Sequence, residues 1–236
     1  MALPKLNQTP TYELNIPSTG EKLQYRPFLV KEQKILLMAL ETQDEKNILR
    51  TIRNTFSQCV LTECNVNKLK IFDIEYIFLQ MRSKSVGENI SLTFKCGECE
   101  SENSVKIPLS TIRPEILPDI IKDVNIADTY NLKLDYPSFG AIIESIVPED
   151  ESGAETIFRV AKLTLHSIQS DDENTLFADE SYEEIDDFFG SLTTDQFNQI
   201  IEFTEGLPTV KYDINFDCKK CNANNIHNLQ GIQDFF

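Results

Sequence analysis

The stretch Ile90-Ser91-Leu92-Thr93-Phe94-Lys95-Cys96-Gly97-Glu98-Cys99 has a counterpart near the far end of the chain, Tyr212-Asp213-Ile214-Asn215-Phe216-Asp217-Cys218-Lys219-Lys220-Cys221. In both copies apolar residues alternate with polar ones up to the first cysteine, the period of a half-buried strand. After each knuckle the chain resumes an apolar stretch, Val105 and Ile107 in the first copy and Ile226 in the second. Each Cys-x-x-Cys therefore falls at the tip of a hairpin. Two such tips facing each other supply four thiolates, the donor set of a closed tetrahedral zinc site. Cys96, Cys99, Cys218 and Cys221 are the candidate metal ligands, and Zn²⁺ is the candidate ion. The gap between the pairs is far longer than the roughly 15 to 20 residues usual for this pattern, so the reading rests on the matched strand context. Two disulfides, free thiols, or an ion shared between two chains are the alternatives the pattern leaves open.

Four cysteines fill four coordination positions, which leaves none for a catalytic water and makes the expected role structural. Redox use of a Cys-x-x-Cys pair needs a thiol activated by a helix N-terminus or a similar field, and both pairs here follow strands. Lys95, Lys219 and Lys220 stand beside the knuckles, where their charge offsets that of a four-thiolate centre. Cys59 lies on the apolar stripe of an expected helix and reads as a small core residue, with Cys64 in the loop after it. The start, Met1-Ala2-Leu3-Pro4-Lys5, has no signal-peptide pattern, and no apolar run approaches 18 residues. Reduced thiols in a cytoplasm are the expectation.

The 236 residues carry 38 Asp and Glu against 22 Lys and Arg, a net charge of −16. Between Ala141 and Gly206 there are 17 acidic residues against only Arg159 and Lys162, which places −15 of that charge in one segment. Such a surface repels nucleic-acid phosphates and anionic lipid headgroups, so neither nucleic acid nor membrane is an expected partner. A basic protein surface suits it better; a solvated face that only aids solubility is the plain alternative.

Along the chain, Tyr12, Leu14 and Ile16 alternate, Pro17-Ser18-Thr19-Gly20 makes a turn, and Leu23 and Tyr25 resume the alternation, which predicts a β-hairpin. Amphipathic helices are expected through Ile35, Leu36, Met38 and Leu40, from Asp44 through Ile48, Ile52 and Phe56, and after Asp73 through Ile74, Ile77, Phe78 and Met81. Pro108, Pro114, Pro118 and Pro137 exclude long helices in the next region, where Leu132, Leu134 and Tyr136 suggest a strand. Further on, Ile157, Ala161, Thr164 and Ile168 predict a helix containing His166, Ile185, Phe188 and Phe189 a shorter one, and Thr193-Thr194-Asp195-Gln196 a capping box that starts a last helix closed by Gly206 and Pro208. The expected fold is α+β. Residues 1–140 hold the N-terminal hairpin, helices and first zinc hairpin, 141–206 an inserted acidic helical subdomain, and 207–236 the second zinc hairpin, which completes a zinc-ribbon-like module.

No nucleophile elbow, phosphate-binding loop, metalloprotease motif or dinucleotide fingerprint occurs in the sequence. His166 reads as a packed or surface histidine rather than a general base, and His227 as superfluous beside four cysteines. No enzyme is expected.

Several separated blocks carry a resemblance. Thr11-Tyr12-Glu13-Leu14, Pro17-Ser18-Thr19-Gly20-Glu21, Tyr25-Arg26-Pro27-Phe28-Leu29-Val30-Lys31-Glu32, Leu36-Leu37-Met38-Ala39-Leu40-Glu41, Asp73-Ile74-Glu75-Tyr76 and Arg82-Ser83-Lys84-Ser85-Val86-Gly87-Glu88 resemble the baseplate hub assembly proteins of T-even-like contractile-tailed bacteriophages. The cysteine pairs, Leu192-Thr193-Thr194-Asp195-Gln196-Phe197 and the terminal Gln233-Asp234-Phe235-Phe236 fit the same family. The resemblance implies a late phage protein, made in the host bacterial cytoplasm and acting, as chaperone-like assembly factor or as subunit, while the tail baseplate hub is built. It brings no enzymatic activity. The implied partners are hub or tape-measure proteins, with the acidic insert and Phe235-Phe236 as candidate docking surfaces; the alternative for the two phenylalanines is that they finish the core beside the second zinc hairpin. A zinc-ribbon regulator of transcription is the rival reading, and it would need a basic surface.

Overall fold

The computed structural model describes residues 9–116, 122–127, 129–146, 153–171 and 173–235, so Met1 to Lys5, Pro118 and Phe236 lie outside the described residues. The chain opens with strands β1 (Tyr12–Asn15) and β2 (Lys22–Tyr25), helices α1 (Val30–Glu41), α2 (Glu45–Cys59) and α3 (Ile71–Val86), and strands β3 (Asn89–Lys95) and β4 (Glu102–Pro108). Next come β5 (Asp123–Ala127), β6 (Tyr130–Leu134), α4 (Phe139–Ser145), α5 (Gly153–Leu163), β7 (Leu165–Gln169), β8 (Asn174–Leu176), α6 (Tyr182–Gly190) and α7 (Thr194–Glu205). Strands β9 (Lys211–Asp217) and β10 (Asn224–Gln230) close it. Two compact units result, one from the chain up to Glu115 together with Thr209 onward, the other from Ile116–Pro208.

In the first unit α3 is the central element. The sequence shows one apolar stripe, and Ile74, Ile77, Phe78 and Met81 are indeed buried, but so are Phe72 and the polar Asp73, Glu75 and Gln80. A helix buried on nearly every side must satisfy its polar groups internally. Asp73 does so by accepting from the Ser18 backbone N–H at 2.8 Å, the Ser18 hydroxyl at 2.6 Å and the Lys70 N–H at 2.9 Å, which pins the β1–β2 turn to the start of α3. Glu75 accepts from the Thr209 hydroxyl at 2.8 Å and the Val210 N–H at 2.9 Å, tying the returning chain to the same helix. Burial pushes the Glu75 carboxyl above its ordinary range, against the pull of these two donors. Arg82 Nε donates to the Phe235 carbonyl at 2.8 Å.

One alternative is decided here and one expectation changes. Phe235 is 1% exposed, which selects the core reading for that residue over the docking one. In α1 only Leu36 and Ala39 of the apolar residues are buried, whereas Val30, Ile35, Leu37 and Met38 face solvent. Its amphipathic reading fails because large apolar residues occupy both faces. The helix is anchored instead by Glu32, which accepts from the Leu29 N–H at 2.8 Å and pairs with Arg26 at 2.9 Å.

In the second unit β5, β6, β7 and β8 form one antiparallel sheet in that order. Val124, Leu132, Leu134 and Leu165 of the sheet bury against Ala161 of α5, Phe189 of α6 and Ile200 and Phe203 of α7. The capping box of α7 forms as expected, with the Thr193 hydroxyl accepting from the Gln196 N–H. The helix expected through Ile168 forms only as far as Leu163. Helix α5 stops at Leu163, the Thr164 hydroxyl folds back to the Ala161 carbonyl at 2.6 Å, and the chain continues as β7 with His166 exposed. The purely helical insert from residue 141 is thus a mixed unit that starts at Ile116, because β5 and β6 supply half of its sheet.

Candidate metal centre

The two knuckles are built alike. Strand β3 ends one residue before Cys96, whose N–H donates to the Ser101 carbonyl at 3.0 Å while its carbonyl accepts from the Glu100 N–H at 3.0 Å. In the second copy the Cys218 N–H donates to Ala223 at 2.8 Å, and its carbonyl accepts from Asn222 at 2.9 Å. Glu100 and Asn222 take the left-handed conformation, φ 55° and 59°, which turns the chain back into β4 and β10. The strand pairs β3–β4 and β9–β10 are fully registered antiparallel ribbons, as the alternation predicts.

All four sulfurs converge. Cys96 Sγ lies 3.6 Å from Cys221 Sγ and Cys99 Sγ 3.7 Å from Cys218 Sγ, and every pair lies within 4.8 Å. A disulfide needs about 2.05 Å, and all six cysteines are free thiols. Four thiols so placed can hold a metal ion. Cys59 and Cys64 lie elsewhere in the chain; Cys59 is buried in the core, where desolvation pushes its thiol up to about 11 and leaves it inert.

The electrostatics of the cluster favour a cation. The Ser101 hydroxyl, and then the Cys221 and Lys220 N–H groups, bring Cys218 down to about 5. The Cys99 and Glu98 N–H groups lower Cys96. Cys221 responds in the opposite sense: its own N–H donor from Ala223 would lower it, but the thiols of Cys99, Cys96 and Cys218 push it up to about 12. The donors thus favour the thiolate at Cys218 and Cys96, the form that ligates a metal ion.

His227 contributes no ligand. Its ring packs on Phe94 and Phe216, with centroids 4.8 and 5.9 Å away, and the pair belongs to the same half-buried strand faces that precede the cysteines. Reading the sequence for ligands alone passes over Asn103 and Asn225, which are buried beside the sulfurs. Their signal was present: each follows the first cysteine of its knuckle by seven residues.

The chain thus carries paired Cys-x-x-Cys hairpins whose four sulfurs could hold one metal ion, with an acidic unit of helices and antiparallel sheet between them in sequence. Residues 9–236 match the family described as T4 bacteriophage base plate protein. The chain belongs to that family. Comparison with the curated proteins and with the solved structures gave no match.

Proposed function

We propose that this protein acts, without enzymatic activity, in assembly of the central hub of a contractile-tail baseplate, and that its four cysteines hold one structural Zn²⁺ within a single chain. The family match over nearly the whole chain carries the functional part. The sulfur geometry supports the ion: a Zn–S distance of about 2.3 Å gives a tetrahedral edge of about 3.8 Å, against 3.6 and 3.7 Å for the two measured pairs. An all-thiolate donor set suits Zn²⁺ and disfavours hard cations. The ion would lock the junction of two hairpins that the sequence separates by an entire unit.

Hub or tape-measure proteins are the partners this reading requires. The second unit presents an acidic surface to a cationic partner, and the exposed Val30, Ile35, Leu37 and Met38 of α1 offer apolar contact area of the kind assembly proteins use. An acidic unit that shields a partner and then leaves favours a transient factor over a permanent subunit. The regulator reading has little support, since neither unit carries the excess of basic charge that nucleic acid demands. Among the described residues no helix is long and apolar enough to cross a membrane.

Infection with phage lacking this gene tests the role. Heads without complete baseplates, restored by the wild-type gene, are the expected result; normal contractile tails would overturn it.

A further inference from the structure

The internal repeat extends past the cysteines to the two buried asparagines, and they are exchanged between the hairpins. Asn103 sits on β4, yet its Nδ2 points at Cys218 Sγ of the second hairpin at 3.6 Å and its Oδ1 accepts from the Lys219 N–H at 3.0 Å. Asn225 sits on β10 and does the converse, with Nδ2 3.6 Å from Cys96 Sγ and Oδ1 accepting from the Gly97 N–H at 2.9 Å. The second amide hydrogen of each stays at home, on the Ser101 carbonyl at 2.9 Å and the Ala223 carbonyl at 2.8 Å. The orientation of both amides is fixed by these partners, because a backbone N–H can only donate and a carbonyl only accept.

Each asparagine therefore joins three points: its own knuckle loop, the first cysteine of the other hairpin, and the backbone just after that cysteine. Asn103 is 2% and Asn225 8% exposed, so losing these partners would leave buried polar groups unpaired. None of the contacts needs an ion, and together they fix both the relative register of the hairpins and the direction of two of the four sulfurs.

Building on the zinc reading, we propose that Asn103 and Asn225 are positioning residues that form a reciprocal clamp, docking the hairpins and aiming Cys96 and Cys218 before any metal is present. Many small zinc modules are unfolded without their ion. Here the ion enters a site that the protein has already assembled, and the clamp then restrains its departure.

The test uses the full chain, reduced and stripped of metal with a chelator, and follows amide hydrogen exchange by NMR. In the metal-free wild type the Gly97 and Lys219 amides are expected to be protected. Asn103→Ala should expose Lys219, and Asn225→Ala should expose Gly97, each on the opposite hairpin, while the Cys96 and Cys218 amides of the local turns keep their protection. Loaded with Co²⁺, which reports thiolate ligation by its absorption, both variants should release the ion to a chelator about 10 to 100 times faster, the size of effect seen when groups supporting metal ligands are removed. Unprotected Gly97 and Lys219 amides in the metal-free wild type would overturn the clamp, as would variants whose opposite amide stays protected. A wild type that shows the protection pattern but binds no Co²⁺ or Zn²⁺ would uphold the clamp and refute the zinc reading on which the metal-release arm rests.

Discussion

The two units solve the problem of closure differently. The first is assembled from both ends of the chain and depends on ties between residues far apart in sequence: Glu75 to Val210, Arg82 to Phe235, Asn103 to Lys219, and the four cysteines. The second is one continuous segment that closes on its own apolar core of sheet and helices. Charge divides along the same line. Ile116–Pro208 holds 21 of the 38 acidic residues and only four of the 22 basic ones, a net −17, which leaves +1 for the rest. The second unit closes within one continuous segment, whereas the first adds to its own apolar core specific polar and thiol ties between distant parts of the chain.

The largest effects should come from breaking each kind of closure separately. Phe203 is fully buried in the second unit, and Phe203→Ala should cost that unit about 3 to 5 kcal/mol while zinc content stays unchanged. Calorimetry combined with metal analysis checks this; loss of zinc along with the core would show that the units are not independent. Stripping the metal should strike the other side, removing about 4 kcal/mol at free zinc a thousandfold above Kd. Hydrogen exchange should then rise in β9 and β10 and remain unchanged in β5 to β8, and Cys96→Ser should loosen the same C-terminal ribbon.

A smaller effect follows from Glu75. Its folded value lies above the ordinary 4.5 because of burial, so the folded chain keeps a proton that the unfolded chain has released. The stabilising contribution is full below about 4.5 and disappears as pH rises through the folded value. Glu75→Gln, neutral throughout, removes this dependence. The stability of wild type relative to the variant should therefore fall as pH is raised from 4.5 toward neutrality, read from denaturant midpoints. A constant difference would show that Glu75 does not titrate differently in the two states.

The smallest effect concerns the acidic face. Asp186 is already paired with Lys162, which makes Glu183 and Asp187, both exposed, the better probes. Glu183→Gln with Asp187→Asn should slow association with a cationic hub protein modestly and leave stability within about 0.5 kcal/mol. Added salt should slow the wild type in the same way as the screening length falls from about 10 Å at 0.1 M to about 3 Å at 1 M. Association indifferent to both would return this surface to a role in solubility.

Legibility in the sequence follows the same division. In the first unit the β1–β2 hairpin, all three helices and both ribbons follow from alternation, helical period and turn residues, and the four cysteines from their context. What stayed hidden there were long-range polar ties, because an asparagine seven residues after a cysteine or a glutamate within an apolar helix shows no partner until the chain folds. In the second unit the sheet was harder to see. Strand β7 buries Ser167 alongside Leu165, so its inward face lacks an apolar alternation, and Thr164 and Ile168 happen to continue the helical spacing of α5. Strand β8 has only three residues, all exposed, and carries no pattern of its own.

The most direct test of the account is the metal content of the reduced, monomeric full-length protein, measured by elemental analysis against protein concentration. One equivalent of zinc per chain, lost in Cys96→Ser and in Cys218→Ser alike, is the predicted result, because both hairpins must contribute to one centre. Less than about half an equivalent in the wild type, or zinc retained when either hairpin loses its first cysteine, would contradict it.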